Sequence, residues 1–260
     1  MWHLKPRPKR AAPLTPPPGP LGAADWVRQT LGFPADSLQA SVLDTHAKRG
    51  VLNCSRQWGK STVTAAKAVH HAFHHAASLI LVVSPSARQS AEFLRKAAAF
   101  ARKLGIRPKG DGDNQISLLF PNQSRMVGLP ATEATNRGFS AVSLILIDEA
   151  ARVSDQLYMS LRPMLAVSAG SLWLMSTPFG KRGFFYDTWV QGGPEWERIT
   201  APATACPRIP PAFLEEERAT MGERCFRQEY LCEFEDSVSG VFCRDLLDSA
   251  ITHDILPLPL

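Results

Sequence analysis

Apolar residues in this chain gather in short unbroken runs rather than in alternation. Leu79-Ile80-Leu81-Val82-Val83, Leu144-Ile145-Leu146-Ile147 and Ser171-Leu172-Trp173-Leu174-Met175 are such runs, and Val51-Leu52-Asn53 ends a fourth. Runs of this kind fit parallel strands covered on both faces. Between them the spacing predicts helices over Asp25–Leu31, Ser37–Lys48, Val63–Ala76, Ala87–Leu104 and Asp155–Leu165, the last kinked or ended by Arg162-Pro163. Leu38, Val42 and Leu43 share one face of the second of these helices. Gln115–Phe120 and Ser124–Leu129 flank Pro121-Asn122-Gln123 and read as a β-hairpin. Phe184–Trp189 reads as an aromatic-rich helix whose rings belong to a core, and Trp196–Ala201 as an edge strand. Two helices, Pro211–Thr220 and Glu223–Leu231, and a strand over Cys232–Glu235 complete the reading. Strands alternating with helices predict an α/β fold, a mainly parallel sheet sandwiched by helices.

The chemistry lies at two strand ends. Cys54-Ser55-Arg56-Gln57-Trp58-Gly59-Lys60-Ser61-Thr62 follows the first strand and precedes a helix. Strand, loop with Gly-Lys-Ser, helix is the order of a P-loop, in which loop and helix-start N–H groups cradle phosphate oxygens. Gly59 permits close backbone approach, Lys60 supplies a cation, and the Ser61 hydroxyl suits Mg²⁺. Cys54 stands where the usual pattern has its first Gly, and an ordinary strand–helix connection with a capping Ser is the alternative. Asp148-Glu149 ends the Leu144–Ile147 run, at the carboxyl edge where open α/β sheets bind ligands. In this Walker B pattern Asp148 would hold Mg²⁺ and Glu149 would polarise the attacking water. Gln39 lies upstream at a spacing that suits an adenine-reading amide or, equally, a solvated helix glutamine. Ser176-Thr177-Pro178 ends another strand, where small hydroxyls could sense a γ-phosphate, and Lys181-Arg182 beyond it suit a phosphate contact. His70/His74 and His71/His75 have metal-ligand spacing, but without a third ligand the better account is an exposed helix end with protonated imidazoles near the negative dipole.

Composition adds bounds. The 260 residues carry a net charge of +5, which suits a polyanionic partner. Five cysteines form no C-x-x-C pair, so neither a zinc ribbon nor a disulfide framework is indicated, and a reducing compartment is expected. No apolar run approaches membrane-spanning length. Residues 1–20 are Pro-rich and basic, with Lys5, Arg7, Lys9 and Arg10 and no acid. They read as a disordered leader or as a tether to nucleic acid or a partner subunit.

Five stretches in order resemble one family, the ATPase domain of the large terminase subunit of tailed bacteriophages, the motor that packages DNA into procapsids. Ser55–Ser61 is similar to its deviant Walker A, with an Arg inside the loop and no first Gly. Ser84-Pro85-Ser86 with Gln89, Arg137-Gly138 before Leu144–Ala150, Ser176-Thr177-Pro178 with Gly180, and Phe226–Phe234 resemble its later motifs. The resemblance covers residues 37–244 and implies a P-loop NTPase core of the RecA-like (ASCE) kind, with ATP and Mg²⁺. It implies that Ser55 to Thr62 and Gln39 bind nucleotide, that Ser61 and Asp148 hold the metal, and that Glu149 is the catalytic carboxylate. Arg56 would be a cis arginine finger, and Ser176 and Thr177 would couple hydrolysis to a DNA-gripping movement.

Implied partners are double-stranded DNA, a portal protein and a small terminase subunit, in a homo-oligomeric ring, with no membrane. The implied location is the host bacterial cytoplasm, transiently at the procapsid portal. Residues 1–36 are taken as the arm and lead-in, 37–236 as the ATPase domain, and 237–260 as a linker toward a nuclease half. Asp245, Asp248 and Asp254 alone would not make that nuclease, so DNA cleavage is not expected of this chain. A helicase-like DNA-dependent ATPase and a non-catalytic prophage remnant that only binds nucleotide or DNA are the other readings.

Overall fold

A computed structural model of the chain describes residues 21–131 and 138–235. The basic arm, Arg137, Cys243 and the three late aspartates lie outside them. Seven strands form one sheet: β1 (Arg49–Cys54), β2 (Leu79–Ser84), β3 (Ser117–Leu119), β4 (Arg125–Pro130), β5 (Leu144–Asp148), β6 (Ser171–Ser176) and β7 (Trp196–Ala201). Their order is β3-β4-β2-β5-β6-β1-β7. Only the β3–β4 hairpin is antiparallel, and every other neighbour pair is parallel. The unbroken apolar runs are central strands, as their lack of alternation requires, and β7 is an edge.

Helices cover both faces. On one lie α1 (Ala23–Leu31), α2 (Ser37–Asp44), α3 (Lys60–His74) and α4 (Ala87–Lys103); their core includes Trp26, Val69, Phe93, Leu52 and Trp173. On the other lie α5 (Asp155–Leu161), a 3₁₀ turn at Arg162–Leu165 and α6 (Gly183–Gln191), packed on Val51, Leu81, Ile145 and Leu174. Phe184 and Phe185 are buried there, as expected of an aromatic helix face. Last come α7 (Pro211–Met221) and α8 (Glu223–Tyr230), with a small core of Leu214, Phe226 and Tyr230.

Several boundaries differ from the sequence reading. Trp26, Val27 and Leu31 are fully packed into the first core, so the lead-in helix belongs to the same folded unit as residues beyond 36. The second helix stops at Asp44 instead of Lys48, because Thr45 turns extended (φ −62°, ψ 138°) and bonds through its hydroxyl to Ala47 N–H and Glu197. The third begins at Lys60, three residues early, with Gly59 as its left-handed cap. Residues 232–235 form no strand. Cys232 is left-handed (φ 64°), Glu233 N–H bonds back to Arg227, and the segment closes onto α8 rather than onto an edge.

The histidines also depart from expectation. His70 and His71 are half-buried, His70 against Trp26 and His71 at 3.1 Å from the Ser143 hydroxyl, while His74 and His75 are exposed. No cluster of three His, Cys, Asp or Glu suited to a metal occurs among the described residues. Burial, with the charges of neighbouring His and Lys67 added, pushes His70 down to about 3 and His71 down to about 4. Both are therefore neutral in the fold near neutral pH, not protonated at the helix end. Their folded values lie below the unfolded one, so the unfolded chain binds more protons and stability is lost as pH falls below about 6.5. At pH 5 the loss is roughly 1–2 kcal/mol per histidine. Urea midpoints at pH 7 and pH 5 should thus separate in the wild type and draw together in His70→Leu. An equal separation in both proteins would contradict this account.

Candidate nucleotide site

The sheet order puts β6 between β1 and β5, so three strand ends meet at one rim. The register is nearly flush: Asn53 faces Ser176, and Asp148 faces Met175. The loop after β1 therefore lies across β6 from the acids after β5. Lys60 Nζ stands 2.7 Å from Glu149 Oε1, and Ser61 Oγ donates to Asp148 Oδ2 at 2.8 Å. Lys60, Ser61, Asp148 and Glu149 form one cluster, as the two motifs required.

The loop is shaped to present donors. Gln57 (φ 60°) and Gly59 (φ 100°) are both left-handed, and Gly59 caps α3 without a side-chain partner. The N–H groups of Gln57, Trp58, Gly59, Lys60 and Ser61 make no hydrogen bond among the described residues. Five successive unpaired donors at a helix start form a cradle for an anion. Ser55 and Arg56 are placed differently. Ser55 N–H is spent on Ala201 O at 3.0 Å, and Arg56 N–H on Glu229 O at 3.1 Å. The Thr62 N–H bonds Gly59 O at 2.9 Å within the helix start. Trp58 offers only its peptide, because its indole is wholly buried in the first core.

Burial alone would lower the Lys60 ammonium, but the acidic groups facing it, Glu149 and Asp148 among them, hold it above its ordinary value. Burial is likewise the first cause that raises Asp148, which Lys60 and the Ser61 hydroxyl oppose. Burial pushes the Cys54 thiol up to about 12, so it is neutral near neutral pH. With its Sγ on the Ser176 carbonyl at 3.6 Å, Cys54 packs between the strand ends. The Ser61 hydroxyl and the Asp148 carboxylate are hard oxygen donors in contact, a set that fits Mg²⁺ together with phosphate oxygens and water. Glu149 is itself left-handed (φ 54°), a rarely populated conformation for a non-glycine residue.

Ser176 Oγ accepts from Ala151 N–H at 3.2 Å and donates to Thr177 O at 2.8 Å. The end of β6 is thereby tied to the turn that follows Glu149. Arg152 and Arg182 flank the Phe179 ring at 4.1 Å and 5.6 Å, which links that same turn to the basic tip after β6.

Two expected contacts take another form. Gln39 is 2% exposed and its amide is committed at both ends: Oε1 accepts from Asp36 N–H at 3.2 Å, and Nε2 donates to Trp58 O at 3.1 Å. Its amide is thereby tied to the back of the loop. The Arg56 guanidinium pairs with Glu229 Oε2 of α8 at 2.5 Å. Sequence reasoning missed Arg208, whose guanidinium donates to Trp58 O at 2.7 Å. No motif surrounds it, and only the fold brings it to the loop. A cavity of about 420 Å³ between α5 and α6, lined by Asp155, Tyr158, Arg162 and Phe184, shares no residue with this cluster.

Residues 51–249 match the protein family described as "Terminase large subunit, T4likevirus-type, N-terminal". Among solved structures, the chain is similar to the large terminase ATPase domain of Thermus phage P74-26, at 22% identity and a TM-score of 0.71, covering 83% of this chain and all of that one. It is also similar to the large terminase of another thermophilic bacteriophage, at 12% identity and a TM-score of 0.63, covering 83% of this chain and 54% of that one. For the large terminase of bacteriophage HK97 the values are 18%, 0.63, 82% and 53%. The chain thus spans about half the length of the latter two. A second structure of the thermophilic-phage terminase, also similar to this chain, is a complex with ATP-γ-S. No curated protein sequence matches this chain.

Proposed function

This chain belongs to the large-terminase N-terminal family, and we propose that it is the Mg²⁺-dependent ATPase that drives double-stranded DNA into a procapsid. The observation that carries the reading is the convergence of Lys60, Ser61, Asp148 and Glu149 at one sheet rim, beside a loop with five N–H groups that have no partner among the described residues.

In this reading the triphosphate enters the cradle and takes Lys60 from Glu149. Glu149, released, orients and deprotonates the attacking water. Ser61 and Asp148 would hold Mg²⁺, which when bound neutralises phosphate charge. Arg56 stabilises charge on the transferred phosphoryl group, and Ser176 with Thr177 carries the change at Glu149 to the loop after β6. Residues 23–235 act as the motor unit. The portal and the small subunit are its partners, it works as a homo-oligomeric ring, and it does so in the host cytoplasm.

Hydrolysis of ATP by the purified protein should rise when double-stranded DNA is added. The affinity for DNA should be independent of sequence and fall steeply with salt, as phosphate contacts require. An affinity that stays flat across a salt series would remove the polyanion from the proposal.

A further inference from the structure

Arg208 lies in a Pro-rich turn with no motif signal, yet the turn is pinned on both sides. Cys206 is 3% exposed in the first core, and Ile209 packs against that core and the one between α7 and α8. From between them Arg208 reaches two acceptors: Nη2 donates to Trp58 O at 2.7 Å, and Nη1 to Asp36 Oδ2 at 3.0 Å. Asp36 caps α2 and accepts from Gln39 N–H at 2.9 Å, while Gln39 Nε2 donates to the same Trp58 O at 3.1 Å. Asp36, Gln39, Trp58 O and Arg208 thus close a ring of hydrogen bonds behind the loop.

A trans peptide is planar, and its C=O and N–H point in opposite directions. The Trp58 carbonyl accepts from two donors, which uses both of its lone pairs. The plane cannot rotate without breaking both bonds. The Gly59 N–H is therefore held pointing away from Arg208 and Gln39. Gly59 is needed twice over: its φ is 100°, and a Cβ would lie 3.1 Å from Gln39 Nε2.

We infer that Arg208 and Gln39 are positioning residues that fix the Gly59 N–H toward bound phosphate. This rests on the phosphate-cradle reading of the loop. The ligand class served is nucleoside di- and triphosphates, recognised through phosphate and not through the base. The oriented donor exists before the ligand arrives, so less ordering is required on binding.

The test compares wild type, Arg208→Ala and Arg208→Lys for hydrolysis of ATP and GTP, with thermal midpoints beside them. Arg208→Ala should raise KM about tenfold for both nucleotides and leave kcat within about twofold. Arg208→Lys keeps one donor for the carbonyl and should recover part of the loss. A KM unchanged in Arg208→Ala overturns the inference. So does a rise for ATP alone, which would make Arg208 a base contact. A lowered thermal midpoint with kcat and KM failing together, unrelieved by Lys, would also overturn it in favour of a merely structural role. If the wild type binds neither nucleotide, the cradle reading falls and this inference with it. A normal wild type beside an unaffected Arg208→Ala removes this inference alone.

Discussion

Glu149→Gln is expected to lower ATP turnover by on the order of 10³-fold while leaving ATP bound. Two features of the site lead there. Glu149 is the carboxylate that leaves β5 with a left-handed turn and meets Lys60, next to Asp148 and Ser61. It is thus the one acid in the cluster not engaged with the Ser61 hydroxyl, and so the one available to a water. Gln keeps the size and the hydrogen bonding but cannot take a proton. The ion pair adds a second expectation. Lys60 is held by Glu149 at 2.7 Å, and incoming phosphate has to compete for it. A neutral Gln competes less well, so the KM for ATP should stay level or fall. Steady-state kinetics together with binding of ATP-γ-S separates the two effects. Turnover within about threefold of wild type would show that Glu149 is not the base, and would favour a chain that only binds nucleotide.

The sequence carried the parts of this picture that local pattern specifies. Ile145, Ile147 and Leu174 lie in runs too uniformly apolar for any place but a sheet interior, and the structure buries them there. Lys60, Ser61, Asp148 and Glu149 were legible because each sits at a fixed offset from a strand end. What pattern left out depends on tertiary placement. Nothing near Arg208 marks it, since its two acceptors, Asp36 and Trp58, are 172 and 150 residues away. Gln39 carries the right chemistry for an adenine, and the bonds of its amide to Asp36 and Trp58 are visible only in the fold. Trp58, read within a binding loop, turns its indole into the core instead. The lead-in helix followed a Pro-rich stretch and was grouped with it. Trp26 against His70, Phe73 and His74 makes it part of the core. The histidine spacing gave the right helix and the wrong exposure, because spacing does not say what packs across from it.

Arg56→Ala should reduce kcat by on the order of 10³-fold, the contribution of an arginine that stabilises charge on a transferred phosphoryl group. The structure adds a condition to that expectation. The Arg56 guanidinium is paired with Glu229, while Arg56 N–H is bonded to the Glu229 carbonyl. The hydrogen bond to Glu229 and the charge of that carboxylate raise the Arg56 pKa against the opposing effect of burial, so it is a permanent cation in either position. To act on phosphate it has to exchange Glu229 for the ligand. The Arg56 side chain is 59% exposed and the Glu229 side chain only 16%, so the arginine is readily solvated on leaving, whereas the carboxylate left behind is largely shielded from water and bound phosphate has to offset that. Glu229→Ala should not reduce kcat, since the backbone bond that places the loop survives. Arg56→Lys should recover only a small part of the loss, because an ammonium lacks the planar fork of donors. Single-turnover hydrolysis by the three variants makes the comparison. If Arg56→Ala stays within about threefold of wild type, the cation is not catalytic, and its pairing with Glu229 serves to hold α8 onto the loop. If instead Glu229→Ala loses as much as Arg56→Ala, the pair itself is the functional state, and the arginine acts from α8 without leaving it.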